Sequence, residues 1–75
     1  MESASNWVGS VWSHRKGRVV IGRLRAVEGS TATLAVVGLG PVAPEGVRVL
    51  PPDEGGTPIV QLPLRLLLER WKRMA

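Results

Sequence analysis

The chain has 75 residues, with ten Lys and Arg against six Asp and Glu, one histidine and no cysteine. A chain this short is one domain whose folding buries only roughly 60% of its surface, so its core is small. Without cysteine no disulfide or Cys-based metal site supports it, and one histidine excludes a zinc cluster.

Stability must then come from aliphatic side chains and the three tryptophans, or from self-association. Phe and Tyr are absent, which leaves Trp alone to stack on bases. The formal net charge of +4 favours nucleic acid or an acidic partner surface, although solubility explains the same charge. No segment reaches the roughly 18 continuous apolar residues of a membrane span. The opening "MESASN" lacks the basic-then-apolar pattern of a secretory leader, so a cytoplasmic protein is expected.

Residues 1–6 are small and polar, and are expected to be disordered ahead of a single domain over 7–75. "WVGSVW" alternates as a short entry strand, with Trp7, Gly9 and Val11 on one side and Val8, Ser10 and Trp12 on the other. "SHRKGR" reads as a basic loop closed by Gly17. "RVVIGRLRAV" is rich in β-branched residues and changes phase at Gly22, which predicts a long strand bent at that glycine. "VEGS" signals a hairpin turn, and "STATLAVVG" its partner strand, with Ala32, Leu34 and Val36 inward and Thr31 and Thr33 outward.

"GLGPVAPEG" is a loop; "VRVL" is a short strand with Arg48 outward; "PPDEGGTP" is a second loop. "IVQL" is a strand ended by Pro63. The tail has two readings. Leu64, Leu67, Leu68 and Trp71 recur at i, i+3, i+4 and i+7, one face of a helix started by Pro63. Alternatively one 3₁₀ turn spans 63–67 and a closing strand runs from Leu68 to about Arg73. The second is preferred because the remaining strands need a closing partner. The expected fold class is all-β: a small five-stranded Src-homology-3-like barrel with a 3₁₀ turn or short helix near the C-terminus.

Catalytic chemistry lacks its inventory. Ser13 and His14 are neighbours and point to opposite faces of a strand, with no acid close in sequence to orient the imidazole. The acids are scattered, and the one adjacent pair, Asp53 and Glu54, lies in a loop. "GLGPVAPEG" lacks the spacing, following helix and Lys-Ser/Thr of a phosphate loop. No enzyme, cofactor or metal is expected.

Nucleic-acid binding has more support. Arg15, Lys16 and Arg18 fall in the first loop beside His14, Arg23 and Arg25 on the outer face of the long strand, and Arg70, Lys72 and Arg73 in the tail, with Arg65 nearby. In this barrel type the tail runs beside the first strand, so these cations gather and can neutralise several phosphates. Trp12 and Trp71 are candidates for stacking or for lining a groove, and core packing is the competing reading of each. A protein partner or a homo-oligomer is the alternative class, with Leu66 and Val37 as apolar residues in need of cover.

Two resemblances run along the chain. The frame "NWVGSVWSHRKGR…VVIGRLRAVEGSTATL…IVQLPLRLLLERWKRM" resembles small proteins of actinobacterial phages and their hosts, with a G-x-V-W opening, a basic turn, a long strand and a closing L-x-x-L-x-x-R-W segment. It implies a phage or mobile-element accessory protein of a bacterial host. "APEGVRVL…IVQLPLRLLLER" resembles the C-terminal half of the plasmid-type (type B) dihydrofolate reductases, at Pro44, Glu45, Gly46, Val60, Gln61, Leu68, Glu69 and Arg70. That family's tetramers bind folate and a nicotinamide cofactor in one central pore. Pro63 stands here at the pore tyrosine, and the pore lysine has no counterpart, so of that set only Gln61 is left. The likeness implies a shared barrel more than shared chemistry.

Overall fold

A computed structural model describes residues 7–14, 21–37 and 45–74 of the chain. Six strands and one helix follow in the order β1 (Val11–His14), β2 (Ile21–Glu28), β3 (Thr31–Val37), β4 (Arg48–Leu50), β5 (Ile59–Pro63), α1 (Leu64–Arg70) and β6 (Trp71–Arg73). They form one antiparallel sheet with the neighbour order β4-β5-β3-β2-β1-β6. The fold is therefore mostly β, with six strands where five were expected, and β4 and β6 stand at the two ends of the order.

The central hairpin follows directly from its sequence. Glu28 pairs with Thr31, leaving Gly29 and Ser30 as a two-residue turn. Gly29 has φ +60° and among the described residues no non-glycine, Ser30 included, has positive φ, the combination a type II′ turn requires. Along β3, Ala32, Leu34 and Val36 are fully buried, as their alternation predicts. Leu24, Val60, Leu62, Leu67, Trp12 and Trp71 join them in one core on that face of the sheet.

Several expectations are corrected. The entry strand starts at Val11, because residues 7–10 form a turn in which the Ser10 N–H donates to the Trp7 carbonyl at 2.9 Å. That turn brings Trp7 to 6.0 Å from Trp12, ring to ring. Ser13 and His14, expected in the basic loop, belong to β1.

The irregularity in β2 lies one turn of the pleat later than Gly22. Its register against β3 shifts between Leu24 and Ala26, so Arg25 is the extra residue of a bulge. Gly22 serves packing instead: a Cβ there would stand 2.9 Å from Leu34 Cδ2 and 3.0 Å from Val36 Cγ1. The glycine leaves the space that the Leu34 and Val36 side chains of the neighbouring strand occupy.

At β4, Arg48 is exposed as expected, but so is Val49, at 52%, because the strand is the outermost of the sheet.

The tail combines parts of both readings. Residues 64–70 form an α-helix, not a 3₁₀ turn, and the closing strand is only Trp71–Arg73. No side chain caps α1; instead the Leu64 N–H donates to the Ser30 carbonyl of the hairpin at 2.7 Å. Leu67 is fully buried while Leu68 is 48% exposed. Trp71 reaches the core from β6 and not from the helix face. Leu66 is half-covered against the core, whereas Val37 is 62% exposed. Among the described residues no helix is long and apolar enough to cross a membrane. Residues 1–6 lie outside the described residues.

Candidate functional site

The last strand lies beside the first, so the tail cations are brought to β1 and β2. Lys72 pairs with Ser13 and Arg73 with Trp12, while Arg23 pairs with Val11 on its other neighbour. Residues directly opposite in an antiparallel ladder share a face. Arg23, Val11, Ser13 and Lys72 therefore share the face away from the core, whereas Arg73 is in register with Trp12 and is exposed at the sheet's edge. Strands two apart are separated by about 10 Å, close to one Debye length at 0.1 M salt, so these charges act jointly on a polyanion.

The sign of the charge is segregated. β1, β6 and residues 21–27 contain Arg23, Arg25, Lys72 and Arg73 and no acid; Glu28 comes only at the far end of β2. Arg70 is exposed at the end of α1, next to Trp71, which pairs with His14. Arg65 is exposed on the same helix. Arg15, Lys16 and Arg18 lie outside the described residues, in the segment of chain that joins His14 to Ile21. A shallow depression on β1 and β6 is lined by Ser13, His14, Lys72 and Met74. The His14 ring stands edge-on to Trp71, with centroids 5.3 Å apart.

The two tryptophans named for stacking are core residues. Trp12 is 5% and Trp71 2% exposed, which leaves no open ring face for a base. The Trp12 indole N–H donates to Ser10 Oγ at 2.8 Å, so its polar atom is satisfied internally. Trp7 is half-buried and is the least covered of the three.

Sequence reasoning missed Asp53, 28 positions from the residue it meets. Its Oδ2 accepts from Arg25 Nη2 at 2.9 Å, and its Oδ1 accepts the Gly55 and Thr57 N–H groups, each at 2.9 Å. The Thr57 N–H bond is the largest influence and lowers this carboxyl below the ordinary Asp value; desolvation, second in size, opposes it, and the Arg25 hydrogen bond and charge and the Gly55 N–H add to the lowering. A "PPDEGG" loop signals a turn, but nothing local tells which strand its acid will reach. Among the described residues this is the only ion pair.

The residues carrying the reductase resemblance are spread over separate elements. Gln61 faces Arg48 and Thr33 in neighbouring strands and donates to Thr33 Oγ1 at 3.4 Å. Glu45 and Gly46 lie in the turn before β4, Leu68–Arg70 lie on α1, and Pro44 is outside the described residues. Among the described residues no three His, Asp or Glu side chains come together as a metal site would require. No protein-family model, curated protein or solved structure matches the chain.

Proposed function

We propose that the chain is a non-enzymatic β-barrel of the Src-homology-3-like type that binds nucleic acid, or a nucleic-acid-associated complex, through the basic β1–β2–β6 face. The observation that carries this reading is that β1, β6 and residues 21–27 of β2 carry cations and no acid, with Arg23 and Lys72 on one face and Arg73 exposed at the edge of the sheet. The order β5-β3-β2-β1-β6, with a short helix before the last strand, supports the barrel. The resemblance of its sequence frame to small phage proteins supports a phage or mobile-element origin. Because Trp12 and Trp71 are buried, the binding we propose is made to phosphates and not by base stacking, which favours little sequence preference.

Titration of labelled duplex and single-stranded DNA and RNA at two salt concentrations tests it. Affinity should fall in the non-specific range, about 10⁻⁴ to 10⁻⁶ M, and drop steeply as salt rises. Binding weaker than about 100 μM at low salt overturns the reading.

A further inference from the structure

We propose that the Asp53 carboxylate is an internal stand-in for a ligand phosphate: it holds the Arg25 guanidinium in the unliganded protein and is displaced when a polyanion binds. The β4–β5 loop then gates one cation of β2. This inference rests on the nucleic-acid reading above and extends it to a residue outside the basic strands.

Three observations carry it. Arg25 is the extra residue of the β2 bulge, two positions beyond Arg23, and its side chain stays 49% exposed even with Asp53 in contact. A ligand can therefore approach it without unfolding anything. Second, the two oxygens of Asp53 have separate tasks. Oδ1 holds the loop through the Gly55 and Thr57 N–H groups, and Oδ2 meets Arg25. The loop is also closed by backbone bonds, from Asp53 N–H to the Thr57 carbonyl at 3.1 Å and from Gly56 N–H to the Asp53 carbonyl at 2.9 Å. Releasing Arg25 leaves all of these in place, so the exchange costs only one exposed ion pair.

Third, the incoming group is a better partner. The contact to Asp53 runs through Nη2 alone, whereas a phosphate can take the guanidinium fork with two parallel N–H bonds. A carboxylate and a phosphate compete for the same donors, and a contact to a single oxygen is the one that yields.

The experiment compares D53N with E54Q on a labelled single-stranded DNA at low salt. Both remove one negative charge from the same loop, but Glu54 has no ion pair among the described residues, and Asn keeps an oxygen for the Gly55 and Thr57 N–H groups. D53N should bind tighter than E54Q, by about two- to five-fold, the range of an exposed ion pair. In an R25Q background the difference should vanish. Equal affinities for D53N and E54Q, or a difference that persists in R25Q, overturn the gate while leaving the nucleic-acid reading intact. Failure of the wild-type protein to bind the DNA overturns that reading, and the gate with it. A measurement on the wild-type protein guards against a misfolded variant. The carboxyl carbon resonance of Asp53 should move as DNA is added; an unmoved resonance at saturation also overturns the gate.

Discussion

Gly22 lies so close over Leu34 that a single methyl group on it would stand 2.9 Å from Leu34 Cδ2. Its cross-strand neighbours are Trp12 on one side and Val36 on the other, both buried. Gly22→Ala therefore overpacks the centre of the sheet and should destabilise the fold by about 1–3 kcal/mol. Denaturant titration with an unchanged slope would show this as a lower midpoint. A neutral substitution would mean that the Leu34 and Val36 side chains shift to admit the methyl group.

Ser10 joins the entry turn to the core. Its hydroxyl donates to the Trp7 carbonyl at 2.5 Å and accepts from the buried Trp12 indole at 2.8 Å. Ser10→Ala strands that N–H, which should cost about 1–3 kcal/mol. The check is thermal unfolding followed by Trp fluorescence, and the emission of Trp12 should shift with it.

The helix offers a paired test of which leucine faces inward. Leu67→Ala should cost about 2–5 kcal/mol, since Leu67 is fully buried against the sheet. Leu68→Ala, at an exposed position of the same turn, should stay within about 0.5 kcal/mol of wild type. Equal losses would contradict the helix orientation.

Asp53 sets an acid limit. Its carboxyl titrates below the ordinary value of 3.8, mainly through the Thr57 N–H, so the folded state binds its proton less readily than the unfolded chain. The stabilisation is present above the unfolded value and is lost as pH falls through the lower, folded one. The stability gap between wild type and D53N should thus be constant near neutrality and shrink below about pH 4. Chemical denaturation of both proteins across that range measures it. A gap that widens on acidification would contradict the assignment.

The basic face makes a positional prediction. K72E and R23E change residues of the shared face, whereas R48E makes the same charge change on β4 beside Gln61. The first two should weaken DNA binding more than R48E, and replacing Lys72 by Gln should lower the salt slope by about one. Equal losses at all three positions would indicate a response to net charge and not to this face.

The parts of the fold that were legible are those decided locally. The alternation of Ala32, Leu34 and Val36 reads as an inward face because period two is a property of the strand itself. The Gly29–Ser30 turn is legible because only glycine takes its φ cheaply. The bulge was misplaced at Gly22 because a glycine signals either a bend or a close approach, and the sequence does not distinguish them. In the tail, three consecutive leucines suit helix and strand equally. The decision falls to the pairing of Trp71, Lys72 and Arg73 with β1, a long-range contact. For the candidate site, Arg23 and Arg25 were legible as exposed strand cations. Asp53 was not, since its partner is fixed by how the β4–β5 loop lies against β2.

The pairing of β1 with β6 also governs when the fold can form. Trp12 meets Arg73, so one ladder of the sheet joins residues some sixty positions apart. Such contacts carry a large loop-closure cost and are made late. The hairpin of β2 and β3 can assemble early, from neighbours in the chain. The core, however, lacks its largest buried side chain until residue 71 has been synthesised and docked. A nascent chain that stops short of Trp71 exposes Trp12, Leu24 and Leu34 to its surroundings. Residues 71–73 are thus a folding checkpoint, and a truncation that removes them should be read first as a solubility defect.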